Sequence, residues 1–447
     1  MPLLRKEGQS AIDAKQPFLN NTKTLFIEIE EKNKQGQSFE IREGKVWYGT
    51  VYSIKPEATK VEFDFELTHE LSGDDLLKFL FIEKGEDKFY TNWDFGWYEI
   101  DVADLADLER LGLLKDLLQM EHQIVLQGPP GTSKTYEAKR LAAYMLGFSP
   151  NAANKGHKDH PAFDSCRFTS QEAGKGKEQT GVSQGADNGK GCWEIVQFHP
   201  AYNYEDFVRG IQVNSTPDKN ICYETKDKVF AELCKTAREH SNSKHILIID
   251  EINRAHLAAV LGELIYALEY RGEEVRTPYA VGDDAKLMVP ENLFVIGTMN
   301  TADRSIGHID YAVRRRFAFY PLLPDKSVIE SYYAAQKDLK VKALNLFEAT
   351  EALFKVKEGN EEKPALSPEF HPDDVQVGHA YFLAENEDDL FRKFAYQVYP
   401  LLREYYKDGV LAPNAGELQL SIGTKNGKKK ISISSHTSAG EILERLP

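Results

Sequence analysis

Apolar and polar positions alternate along the first hundred residues, then change period. The segments TLFIEIEE (24–31), KVWYGTVYSI (45–54), KVEFDFEL (60–67) and KFYTNWDFGWYEI (88–100) alternate or are rich in aromatic and β-branched residues. Short polar turns separate them, which predicts strands. LSGDDLLKFLFI predicts a short helix with Ser72 as its N-cap. Residues 1–105 therefore read as a small α+β domain. From residue 106 the spacing becomes helical: 106–119 predicts an amphipathic helix, and EHQIVLQ a short buried strand ending at glycine. YEAKRLAAYML continues as a helix that stops at Gly147.

Beyond it, residues 155–191 carry Gly174, Gly176, Gly181, Gly185, Gly189 and Gly191 among polar side chains, which predicts an inserted loop. WEIVQF predicts the next strand, followed by a helix near 228–241, the strand HILIID, a helix over HLAAVLGELIYALEYRG and the strand NLFVIGTMN. Strands alternating with helices predict a parallel sheet with crossover helices over 106–323. From Pro324 to the end the pattern is helical, closing on a β-hairpin turned at Asn426-Gly427.

The composition fits a globular chain of two or three domains: 447 residues, 41% hydrophobic and 28% charged. Its net charge of −15 argues against a non-specific polyanion binder acting through its bulk field, though a local basic patch remains compatible. Cys166, Cys192, Cys222 and Cys234 form no CxxC pair, so free thiols in a reducing compartment are expected. No run approaches the length of a membrane helix, and a cytoplasmic protein with no membrane partner is expected.

Four motifs carry chemistry. Gly128-Pro129-Pro130-Gly131-Thr132-Ser133-Lys134-Thr135 lies between a strand and a helix, the context of a phosphate-binding loop. Its backbone amides would surround phosphates, Lys134 would reach the β and γ oxygens, and Thr135 would hold Mg²⁺. Ser133 stands where glycine usually precedes the lysine, and a side chain there is costly if φ must be positive. The strand Ile246-Leu247-Ile248-Ile249 ends at Asp250-Glu251. Asp250 would hold Mg²⁺ and Glu251 would polarise the attacking water; the bland alternative is a solvated acidic pair. Asn300, at the end of the second apolar strand, would face the γ-phosphate or the water. Asn300-Thr301-Ala302-Asp303 partly matches a guanine-reading NKxD box but lacks its lysine. Arg314-Arg315-Arg316-Phe317 would supply guanidinium groups to a neighbouring subunit, or form a solvated face.

With these four motifs in order, the chain resembles the AAA+ superfamily and, within it, the McrB-like branch. Four further segments carry that resemblance: Val196-Gln197-Phe198-His199-Pro200-Ala201-Tyr202-Asn203-Tyr204-Glu205-Asp206-Phe207, Asp250-Glu251-Ile252-Asn253-Arg254-Ala255, Met299-Asn300-Thr301-Ala302-Asp303-Arg304-Ser305 and Val377-Gly378-His379-Ala380-Tyr381-Phe382. The resemblance covers roughly residues 106–410. It implies an AAA+ P-loop module with a helical lid, hexameric rings, hydrolysis of GTP or ATP with Mg²⁺, and a McrC-like endonuclease partner acting on double-stranded DNA. By position, Lys134, Thr135, Asp250, Glu251 and Asn300 would serve the cis site. Arg315 and Arg316 would act from the neighbour, with Arg254 and Asp303 across the same interface.

No PD-(D/E)xK or HNH pattern is present in the sequence, so cutting is assigned to the partner. Trp47, Tyr48, Trp93, Phe95, Trp97 and Tyr98 could cage a flipped base, but filling the core of a small sheet is the favoured reading. His199, His371 and His379 have no second ligand at metal spacing, so packing or hydrogen bonding is expected of them. Two other functions stay open: a MoxR-like protein-remodelling chaperone, and a scaffold that binds nucleotide without turnover. A neighbouring McrC-like gene would favour restriction over the chaperone, and turnover by the purified protein would exclude the scaffold.

Overall fold

In the computed structural model, residues 22–30, 40–56 and 61–71 are described as backbone strands, and the rest of the description covers 102–157, 159–168, 191–215, 221–282, 284–303, 309–334, 336–355, 364–412, 418–424, 427–433 and 438–446. By its contacts the chain divides into two units. One comprises 1–120, 139–167 and 183–192; the other comprises 121–138, 168–182 and 193–447.

Three of the four alternating N-terminal segments are strands. β1 (Thr22–Glu30), β2 (Glu40–Pro56) and β3 (Val61–Leu71) form an antiparallel sheet in that order. Phe26 pairs with Trp47, and Leu25 with Tyr48. The segment 88–100, with Trp93, Phe95, Trp97 and Tyr98, and the helix expected after Ser72 lie outside the described residues. Helix α1 runs Val102–Glu121, starting four residues before the periodicity indicated.

The second unit holds the predicted sheet. β4 (Gln123–Gly128) leads into α2 (Lys134–Met145). Residues 139–145 of α2 and a short helix α3 (His160–Ser165) belong to the first unit; α3 occupies part of the segment read as a glycine-rich loop, of which residues 169–190 lie outside the described residues. β5 (Cys192–Gln197) follows, then α4 (Tyr204–Phe207), β6 (Arg209–Ser215) and β7 (Ile221–Asp227). Next come α5 (Val229–Glu239), β8 (His245–Asp250), α6 (Leu257–Leu261) and α7 (Leu264–Ala267). The hairpin β9 (Glu274–Val281) and β10 (Asp284–Met288) precedes β11 (Leu293–Asn300), α8 (Tyr311–Arg314) and β12 (Ala318–Pro321).

The central sheet has the order β12-β4-β11-β8-β5, and the β12–β4, β4–β11 and β11–β8 pairs are parallel. Ile124, Leu126, Ile246, Leu247, Ile248 and Ile296 are fully buried in it, as continuous apolar runs in a two-sided sheet require. The single helix expected over 256–272 is broken into α6 and α7, because Gly262 sits between them at φ 51. Tyr204 packs against Gly262, and its hydroxyl is hydrogen-bonded to the next residue, Glu263. The hairpins β6–β7 and β9–β10 carry no alternation strong enough to have been foreseen.

The remaining elements are α9 (Lys326–Tyr332), α10 (Lys337–Glu351), α11 (Pro372–Val375), α12 (Glu387–Lys393) and α13 (Tyr399–Lys407). A π-helical turn at Phe394–Val398 joins the last two. β13 (Leu418–Thr424) and β14 (Gly427–Ile433) form the expected C-terminal hairpin, and α14 (Ala439–Arg445) follows it. Tyr333, Phe347, Phe382, Phe394 and Leu402 lie in the shared core of this helical part.

Cys166, Cys192 and Cys234 are buried free thiols and Cys222 is an exposed one. Among the described residues no helix is long and apolar enough to cross a membrane.

Candidate functional site

Three parallel strands end together: β4 at Gly128, β8 at Asp250 and β11 at Asn300. Carboxyl ends of adjacent parallel strands are where such sheets bind ligands. The loop after β4 turns at Gly131 (φ 80) and Ser133 (φ 60). Ser133 thus adopts the left-handed conformation that glycine supplies elsewhere, at a cost of about 1–2 kcal/mol. It enters α2 directly, where its carbonyl accepts the Glu137 amide at 2.9 Å.

Lys134 is buried, with Nζ donating to the carbonyls of Gly128 (2.9 Å) and Pro129 (2.8 Å). Burial pushes its pKa down to about 8, against the pull of Glu251 and Asp250, which favours the charged form. The ammonium is therefore already inside the loop that would hold phosphates.

Asp250 and Thr135 meet: Thr135 Oγ1 donates to Asp250 Oδ1 at 2.6 Å. Thr298, on β11, donates to the same oxygen at 2.6 Å and accepts the Glu251 amide at 3.1 Å. One hydroxyl thereby fixes both acidic positions. The sequence reading quoted Thr298 within its motif but gave it no role; its place on a strand paired with β8 is what reveals one. Glu251 lies at φ 54 and ψ 47, a left-handed conformation that costs a non-glycine residue about 1–3 kcal/mol.

Both carboxylate oxygens of Glu251 are held. Asn300 Nδ2 donates to Oε1 at 2.5 Å, and Arg254 Nε donates to Oε2 at 3.1 Å. Arg254 also lies 3.8 Å from Asp303. Within the chain Arg254 thus lies between Glu251 and Asp303.

The arginine cluster lies elsewhere. Arg316 pairs with Glu269 and donates to the Ala312 carbonyl, and its side chain is 9% exposed. Its backbone carbonyl accepts from Gln123 Nε2 at 2.7 Å, at the amino end of β4. Gly128 marks the other end of that strand, about 15–20 Å away. Arg315 is 66% exposed and 3.6 Å from Glu269, while Arg314 lies over the Phe319 ring at 4.8 Å. The contacts of these three arginines are with Glu269, Ala312 and Phe319 and not with residues 128–135.

A segment without an assigned role completes the site. Gly378 N donates to the Pro130 carbonyl and Ala380 N to the Gly131 carbonyl, both at 2.9 Å. The Gly128 carbonyl also accepts from Thr301 N at 3.1 Å. His379 is buried and accepts the Asp325 amide at 3.1 Å, and His371 caps α11, so both serve hydrogen bonding as expected.

The donors suit Mg²⁺. A carboxylate and a hydroxyl converge at Asp250 and Thr135, and phosphate oxygens would complete the shell, as this hard cation prefers. Among the described residues there is no group of three or more His, Cys, Asp or Glu that could hold a metal unaided.

Residues 174–317 match the AAA domain of the dynein-related subfamily, and residues 369–410 match the McrB alpha-helical lid domain. The chain is 32% identical over 305 residues to the type IV methyl-directed restriction enzyme EcoKMcrB subunit of Escherichia coli strain K12, covering 65% of this chain and 55% of the relative. It is 30% identical over 113 residues to the type II restriction enzyme BsuMI component YdiS of Bacillus subtilis strain 168, covering 22% of this chain and 33% of that protein. The chain thus spans about half the length of the first relative and a third of the second.

Proposed function

We propose that the chain is an McrB-like AAA+ protein, as its matched segments suggest, and that it is the nucleotide-hydrolysing motor of a McrBC-type restriction system. It would assemble into a ring, most simply a hexamer, act on double-stranded DNA and activate a McrC-like endonuclease. The observation that carries this reading is the joint placement of Lys134, Thr135–Asp250 and Glu251–Asn300 at three adjacent strand ends.

Each group has a defined task in that mechanism. The loop amides and Lys134 bind the phosphate chain of GTP or ATP. Thr135 and Asp250 would hold Mg²⁺, which supplies positive charge to the phosphoryl oxygens when bound. Glu251 accepts the proton of the attacking water, and Asn300 orients that carboxylate. Thr298 fixes the backbone of one acid and the side chain of the other. Arg315, exposed at the far end of β4, stabilises charge in the neighbouring subunit's site, whereas Arg316 acts as its buried anchor on Glu269.

A serine at position 133 would favour the non-hydrolysing scaffold if it distorted the phosphate loop. Its observed left-handed φ supports a competent loop instead, because the backbone there takes the shape a glycine would take. Hydrolysis of GTP and of ATP by the purified protein, with and without DNA and the McrC-like subunit, tests the proposal. Turnover stimulated by the partner is expected; absence of turnover under every condition would reject the motor.

A further inference from the structure

Four successive carbonyls of the phosphate loop are engaged, two by Lys134 and two by the lid. Lys134 Nζ takes those of Gly128 and Pro129, and the lid amides of Gly378 and Ala380 take those of Pro130 and Gly131. A trans peptide is planar, with its C=O and N–H pointing in opposite directions. Holding the Pro130 carbonyl therefore aims the Gly131 N–H away from the lid, and holding the Gly131 carbonyl does the same for the Thr132 N–H.

The approach of the two segments is closer than any side chain permits. A Cβ on Gly378 would stand 2.0 Å from the Gly131 carbonyl carbon and 2.5 Å from Thr132 N. A Cβ on Gly131 would stand 2.5 Å from the Tyr381 ring. The lid segment is itself anchored. Tyr333 Oη donates to the Phe382 carbonyl at 3.0 Å and accepts the Ala384 amide at 2.6 Å. Phe382 is fully buried and packs edge-on against Phe347.

We propose that Gly378 and Ala380 are positioning residues for the phosphate loop: by holding the Pro130 and Gly131 carbonyls they present the Gly131 and Thr132 N–H groups to the phosphate chain, so the lid forms part of the triphosphate site. This rests on the nucleotide-site reading above and adds a role for the lid that does not involve the base.

The test uses the full chain and inorganic tripolyphosphate, a probe without base or ribose. Gly378→Ala should weaken binding of GTP or ATP, whichever the wild type binds, and of tripolyphosphate by the same factor, about tenfold or more, because two charge-assisted contacts are misaligned together. Its circular dichroism should stay close to wild type, with a lower melting temperature because the added Cβ pushes the lid segment off the loop backbone. Loss of nucleotide affinity with unchanged tripolyphosphate affinity would place the lid at the base and overturn the inference; so would wild-type binding of both.

Hydrogen exchange on the wild type decides the matter even if the variant does not fold. Adding tripolyphosphate should slow exchange in the 376–382 peptide, and Lys134→Ala should abolish that slowing. Unchanged exchange on a bound probe would overturn the inference. A wild type that binds neither probe nor nucleotide would instead reject the nucleotide-site reading itself.

Discussion

Asn300 donates its side-chain amide to Glu251 Oε1 at 2.5 Å, joining the ends of β11 and β8 across the reaction site. In the proposed mechanism this contact would orient the carboxylate toward the attacking water. Glu251→Gln keeps the shape but removes the base. Nucleotide binding should persist while turnover falls about 10²–10⁴-fold, and assembled rings should accumulate. Steady-state hydrolysis alongside nucleotide-binding titration checks this, and wild-type turnover would remove Glu251 from its role.

Thr298 should matter nearly as much, although it touches no substrate in this mechanism. Thr298→Val preserves volume but leaves the Glu251 amide without its acceptor and removes one of the two hydroxyl donors to Asp250, the other being Thr135. Such a loss costs about 1–3 kcal/mol, and hydrolysis should drop at least tenfold, about the same energy. Thr298→Ser should restore most of it. Equal activity of the valine and serine variants would show that the hydroxyl has no positioning role.

Ser133→Gly relieves a left-handed serine at φ 60. Nucleotide affinity should be unchanged, and the melting temperature should stay level or rise, with up to about 1 kcal/mol of relieved strain offset by the entropy glycine adds to the unfolded chain. A loss of affinity would show that the hydroxyl itself contacts phosphate.

Lys134 makes binding sensitive to pH. Its pKa lies near 8 in the free protein, held down by burial, and a neighbouring polyphosphate raises it. Above about pH 8 the free lysine is neutral and the bound one charged, so binding takes up a proton and affinity falls with rising pH. Below about 8 both forms are charged and the dependence on this group vanishes. Stability of the free protein moves the other way: the unfolded lysine titrates near 10.5, so this group's contribution improves as pH rises from 8 toward that value. Titration calorimetry in two buffers of different ionisation enthalpy at pH 8.5 measures the uptake. No uptake would place Lys134 outside the phosphate contact. Lys134→Ala should abolish nucleotide binding at every pH.

Arg315 and Arg316 should separate. Arg316→Ala removes the anchor on Glu269 and should lower stability; Arg315→Ala should leave the fold intact and lower turnover by about 10³-fold if it acts as an arginine finger. Rings of Glu251→Gln subunits and rings of Arg315→Ala subunits should each be nearly inactive. Mixed rings should recover part of the activity, because some interfaces then pair an intact Glu251 with an intact Arg315. No recovery in mixed rings confirmed by double-tag pull-down would give Arg315 a structural role. Light scattering showing monomers with every nucleotide and with the partner would reject ring assembly.

The sequence alone determined the chain of elements around the site. Buried parallel strands read as unbroken apolar runs, so β4, β8 and β11 and the candidate residues at their ends are legible in the sequence. The glycine-rich turn between β4 and α2 was legible for a similar reason: few other functions need that spacing with Lys134 and Thr135. Three things needed the tertiary structure. Thr298 acquires its role only because β11 lies beside β8, and strand adjacency across a crossover leaves no local mark. Arg315 and Arg316 are adjacent in sequence yet differ in exposure, because one guanidinium fits against Glu269 and the Ala312 carbonyl while the other stays largely in solvent. Gly378 meets Gly131 across almost 250 positions through backbone atoms alone. Hydrophobic periodicity encodes which side chains are buried; it does not encode which carbonyl a distant amide will hold, and that choice belonged to the folded chain.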